Sequence, residues 1–128
     1  MSAEGTLLDS HRRAVTAARA AADKNAEDTL ALDVGDIIGI TEVFVITSGT
    51  NTRQVRTICD EIEQALKRDG GSAPRNVEGL DDASWVLLDY GDLIVHVFLS
   101  ETREYYALER LWTDAPRIAW EPSARAAL

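Results

Sequence analysis

Histidine, cysteine and closely spaced carboxylates are the side chains most often asked to do chemistry, and this chain has few of them. Its histidines are His11 and His96, and its one cysteine is Cys59. His96 sits mid-run in LIVHVFL, on the strand face shared by Ile94 and Phe98. As a general base it would need an orienting acid and a nucleophile within about 3 Å. Asp89 or Asp92, from DYGD, could orient it, but no serine or cysteine stands out as nucleophile. The competing reading is a hydrogen-bonded structural histidine. Cys59 falls on the apolar stripe of a helix, where a thiol is inert. No Cys/His cluster has zinc spacing, no disulfide can form within the chain, and a reducing cytosol is the expected compartment. No cofactor is expected.

A second candidate is VITSGTNTRQV, a strand, a small glycine turn and a helix start. Backbone N–H groups there can hold an anion. The alternative is a tight turn with a Ser/Thr/Asn helix cap. The stretch fits neither GxxxxGK[ST] nor GxGxxG. Such a turn also occurs in nucleotidyltransferase folds, whose enzymes need two metal-binding acids on one strand face, usually as Asp-x-Asp. The chain contains no Asp-x-Asp, and Asp89 and Asp92 straddle a turn.

The aromatics form the third candidate. Trp85, Tyr90, Tyr105, Tyr106 and Trp112 cluster late in a chain that is only 6% aromatic. Tyr105 and Trp112 fall on the apolar stripe of the last helix, which suggests core. Tyr106 turns toward the polar side, and Trp85 starts a strand. Trp and Tyr are enriched among interface hot spots. With 22 acids against 13 bases the formal charge is −9. That field repels nucleic acid and anionic lipid and attracts a basic partner. Its simpler role is solubility.

These residues need elements to hold them. The 128 residues, 45% of them hydrophobic, suit one domain with a real core. No apolar run is long enough to span a membrane, and the first residues resemble neither a secretory signal nor a transit peptide. A helix is expected over 6–23, capped by Thr6, with Leu7 or Leu8, Val15, Ala18 and Ala22 on one face. Strands follow over 28–34 and 41–49, separated by a loop, GDIIGI. A long helix over 52–69 buries Val55, Ile58, Cys59, Ile62, Ala65 and Leu66 and stops at Gly70-Gly71. A weak strand near 75–77 precedes a hairpin, WVLLD and LIVHVFL joined through Tyr90-Gly91. Ser100 caps a last helix with Tyr105, Leu108, Leu111 and Trp112 on its stripe. The order α-β-β-α-β-β-β-α means an α/β fold, a mixed sheet of about five strands flanked by helices. Residues 1–116 form the domain, and 117–128 are expected to be a loose tail.

The stretch WVLLDYGDLIVHVFLSETREYYALERLWTDAP resembles the signature of the Iojap family, the ribosomal silencing factors. DKNAEDTLALDV, VFVITSGTNTRQV and the EG before the tryptophan are similar too, so the likeness covers about residues 7–116. Asn25 stands where the family often has lysine. The resemblance implies a nucleotidyltransferase-like core lacking the catalytic acids, and no enzyme activity. It implies binding to the large ribosomal subunit through its protein number fourteen, blocked joining with the small subunit, and slowed translation when nutrients are short. Organelle relatives act in ribosome assembly, which is the alternative role; a nucleotidyltransferase-like enzyme is the other. On this reading DYGD and ETREYYALERLW form a docking surface carried by Trp85, Asp89, Tyr90, Asp92, His96, Tyr106 and Glu109, with little direct contact to nucleic acid and none to membrane. An apolar docking face also invites the free protein to pair as a homodimer.

Overall fold

The apolar patterns become two cores, one on each face of a sheet. The computed structural model describes residues 3–122, with side chains from residue 9 onward. In chain order the elements are α1 (Ala3–Asp23), β1 (Glu27–Asp33), the single turn α2 (Gly35–Ile38), β2 (Val43–Gly49), α3 (Thr52–Arg68), β3 (Asn76–Glu78), β4 (Trp85–Asp89), β5 (Leu93–Leu99), α4 (Ser100–Tyr106) and a 3-10 helix (Leu108–Trp112). The five strands lie in the order β1-β2-β5-β4-β3. Only β2 and β5 are parallel; the other pairings are antiparallel, so the sheet is mixed as expected. All seven residues of β2 are buried, as its continuous apolar run requires of a central strand.

α1 and α3 cover one face. Ala14, Ala17, Ala18 and Ala21 are fully buried, and their small side chains bring α1 close to the sheet. Val55, Ile58, Cys59, Ile62 and Leu66 form the buried stripe of α3. They meet Val43, Val45, Val86, Leu88, Leu93, Val95 and Val97 from the strands. α3 ends where Gly70 takes a left-handed φ of +89°, and the Gly71 N–H donates to the Leu66 carbonyl at 2.9 Å. The second face carries Leu32, Phe44, Ile46 and Phe98, covered by Ile38, Leu108 and Trp112. Among the described residues, no helix is long and apolar enough to cross a membrane.

Several local expectations change. α1 starts at Ala3, so Thr6 lies inside the helix, and the side chains of Thr6, Leu7 and Leu8 lie outside those described. GDII is a helical turn within the expected loop. The hairpin turn is one residue later than read: Tyr90 N–H bonds the Leu93 carbonyl at 2.9 Å, leaving Gly91 and Asp92 as the turn. Gly91 takes the positive φ of +89° there. Ser100 is not a cap: Leu99 holds that position, and the one Ser100 hydroxyl proton is shared between the Gly49 carbonyl and Glu27 Oε1, each 2.9 Å away. The single helix expected over ETREYYALERLW is broken at Ala107, which sits at φ 47°, ψ 48°.

The start of the expected loose tail is docked. Arg117 bridges Leu32, Ile118 N–H donates to the Ala31 carbonyl at 2.8 Å, and Trp120 Nε1 donates to the Thr29 carbonyl at 3.1 Å. β1 is an edge strand, and its unpaired backbone groups accept such an addition. Ile118 and Trp120 also pack on the helix-side core. Residues 123–128 lie outside those described.

Candidate partner-docking face

Alternation along β4 and β5 sends Trp85, His96 and Phe98 to the same face of the sheet. Trp85 stands opposite Phe98 in the ladder, and Leu87 stands opposite His96. The Trp85 and Phe98 rings stack with centroids 4.8 Å apart. Trp85 Nε1–H donates to His96 Nδ1 at 3.2 Å, so the neutral imidazole carries its proton on Nε2. His96 is 5% exposed, and burial pushes its pKa down to about 4. It is therefore neutral near pH 7. His96 and Trp112 both make T-shaped contacts with Phe44, at 4.7 and 5.7 Å. Their buried Nε2 and Nε1 atoms have no hydrogen-bond partner among the described residues.

No relay forms around this histidine. Asp89 accepts from the Gly91 N–H at 2.7 Å and pairs with Arg75 at 3.4 Å. Asp92 pairs with Arg13 at 2.7 Å. Cys59 is buried in the helix-side core, where desolvation and then Glu63 push its thiol up to about 12. The SGTN turn is braced by bonds within the chain. Asn51 caps α3 by accepting from Gln54 N–H at 2.8 Å, Gln54 Oε1 accepts from Thr50 N–H at 2.7 Å, and Gln54 Nε2 donates to the Lys24 and Asn25 carbonyls. Among the described residues, no group of three or more His, Cys, Asp or Glu is placed to hold a metal.

What the face does present is exposed aromatic surface. Tyr106 lies 5.1 Å from Trp85, and Tyr105 meets Tyr106 edge-on at 5.0 Å. Tyr105 is 82% exposed and Tyr106 54%. With Ser84, Glu101 and Thr102, these rings line a recess of about 470 Å³ that contains no basic residue. Leu111 is also exposed nearby in sequence, at 71%. An aromatic recess with a carboxylate at its rim favours a cationic side chain.

Of the residues picked from sequence, the structure brings Trp85, His96 and Tyr106 together. Asp89, Tyr90 and Asp92 form a separate cluster at the hairpin. Tyr90 packs against the helix-side core with Arg13 over its ring at 5.5 Å. Its hydroxyl is buried without a partner, and burial, then Glu63, pushes it up to about 12. Glu109 is tied inward, its Oε2 accepting from Arg103 Nε at 3.1 Å. Two residues were missed. Tyr105 was assigned to the core because the helix was read as continuous through Ala107. Arg103 carries no signal in the sequence that separates it from the other charged residues of its helix, yet it is 7% exposed.

Comparison with known proteins gives this face a context. Residues 8–127 match the family described as ribosomal silencing factor during starvation. The ribosomal silencing factor RsfS of Bacillus subtilis is 46% identical over 100 residues, 78% of this chain and 84% of that protein. The mouse protein named mitochondrial assembly of ribosomal large subunit protein 1 is 37% identical over 92 residues, 70% of this chain and 40% of its own length. A crystal structure of a Chromobacterium violaceum protein superposes with a TM-score of 0.76 at 29% identity, covering 89% of this chain and 90% of that one. With the match running through nearly its whole length, the chain belongs to the ribosomal silencing factor (RsfS) family.

Proposed function

We propose that this protein represses translation by docking on the large ribosomal subunit, through the subunit's basic protein number fourteen, so that the small subunit cannot join. The observation that carries the reading is the patch that exposed Tyr105 and Tyr106 form beside half-buried Trp85, with Glu101 at its rim, on a chain of net charge −9. Aromatic anchors supply most of the affinity in such interfaces, and rim acids speed encounter with a basic partner. About 800 Å² on this side suffices for a stable complex. Slower translation under nutrient limitation then follows from occupancy alone, without chemistry.

The test is a joining assay. Small and large subunits are mixed in magnesium with the protein, joining is followed by light scattering, and sedimentation shows which subunit carries it. The parent chain and Asp92→Ala, whose carboxylate pairs with Arg13 away from the patch, should block joining from the large subunit. Trp85→Ala with Tyr106→Ala should not. Full blocking by that double variant would refute the docking face.

A second reading has one specific support, the mouse relative named for large-subunit assembly. An assembly factor would use the same face. Accumulated large-subunit precursors in a deletion strain grown in rich medium would favour it.

A further inference from the structure

We propose that Arg103 is a positioning residue for the docking face: it clamps the chain break at Ala107 and so holds Tyr106 against Trp85. The inference rests on the docking reading above. Arg103 is 7% exposed, and a buried guanidinium persists only when its donors are used. Its Nε donates to Glu109 Oε2 at 3.1 Å, and its Nη1 donates to Ser48 Oγ at 3.1 Å and the Glu27 carbonyl at 3.2 Å. One side chain thus ties α4 to the 3-10 helix, β2 and β1.

The spacing shows what this clamp does. Arg103 and Glu109 are six residues apart; in a continuous helix they would lie on different sides and about 9 Å apart along the axis. Their ion pair closes only because Ala107 turns the chain at φ 47°, ψ 48°. That left-handed conformation is disfavoured for any residue with a Cβ. The flanking residues, Glu104 to Leu111, include Ala, two Leu, Glu and Arg, which favour helix. Local preference therefore opposes the break, and the Arg103 network opposes local preference. Tyr106 is the last residue of α4, directly before the break, with its ring 5.1 Å from Trp85. On the far side, Trp112 sits 5.7 Å from Phe44. Rewinding the segment into one helix would turn these two aromatic contacts away from each other's register and reshape the recess.

The experiment is a double-mutant cycle on the full chain, reading affinity for purified large subunits alongside thermal unfolding. Arg103→Lys keeps a charge but cannot serve three acceptors in a fork, and it is the gentler companion to Arg103→Met. Arg103→Lys should weaken binding about tenfold, within the coupling expected of residues acting as one network. In the Tyr106→Ala background the same change should alter binding by less than about twofold. Ala107→Gly, which accepts the left-handed conformation freely, should restore most of the affinity of Arg103→Lys. An equal loss in both backgrounds, or no rescue by glycine, would overturn the proposal, because Arg103 would then act only on general stability. Undiminished binding by Arg103→Lys and Arg103→Met would overturn it as well. Undiminished binding by Trp85→Ala and Tyr106→Ala would remove the docking face itself and the positioning role with it. Loss in those two variants with an additive Arg103 effect would remove the positioning role alone.

Discussion

Replacing His96 with phenylalanine should flatten the acid side of the protein's stability profile. Burial lowers the His96 pKa from 6.5 to about 4. Above pH 6.5 the imidazole is neutral in both folded and unfolded chains, and its contribution to stability is complete. Between pH 6.5 and about 4 the unfolded chain takes up a proton that the folded chain refuses, so stability falls as pH falls. Below that window both states are protonated and the loss stops growing. At 1.36 kcal/mol per pH unit the whole window is worth about 3 kcal/mol, and the part between pH 7 and 5 about 2 kcal/mol. That is a large share of a typical domain's stability of about 5–15 kcal/mol. The measurement is urea unfolding of the parent and His96→Phe at pH 7, 6 and 5, followed by tryptophan fluorescence. Phenylalanine removes the acceptor of the Trp85 N–H, which shifts the variant by a pH-independent amount. The His11–Asp33 pair is present in both chains and cancels in the difference. The stability gap between parent and variant should move by about 2 kcal/mol from pH 7 to 5, in the direction that favours the variant at low pH. A gap that stays constant would mean that the imidazole is not held neutral by its burial among Trp85, Phe44 and Phe98, and the reasoning would fail.

Two further outcomes follow from other parts of the fold. Cys59 is 1% exposed with its thiol pushed up to about 12, so it should resist a thiol reagent at pH 8 in the native state and react fully in denaturant; rapid native labelling would show that α3 opens locally. Asn51→Ala removes the α3 cap bond to the Gln54 N–H and should cost about 1 kcal/mol in denaturant unfolding; an unchanged midpoint would show that Gln54's bonds alone secure this helix start.

The strands and the two long helices were legible because their burial follows local periodicity. TEVFVITSG is apolar throughout and becomes the fully buried β2, while the stripe from Val55 to Leu66 falls at helical spacing and becomes the inner face of α3. The break at Ala107 was not legible for the opposite reason. Glu104, Leu108, Glu109, Arg110 and Leu111 around it favour helix, and what opposes that preference is an ion pair between Arg103 and Glu109 together with bonds to Ser48 and Glu27, distant in sequence. The hairpin acids illustrate the same limit at the candidate site. Asp92 looked free for a partner, but Arg13, 79 residues earlier on α1, reaches it at 2.7 Å. Tyr90 looked like an anchor, but the displaced turn and Arg13 direct it into the helix-side core. Residue type alone therefore cannot separate an anchor from a strut in this segment. The separation comes from which polar groups the fold has already used: Asp89, Asp92 and Glu109 are engaged within the chain, whereas Tyr105 and Tyr106 keep half or more of their surface open beside Trp85. The proposed docking face is what remains after the internal pairings are subtracted, and it is narrower than the sequence motif that contains it.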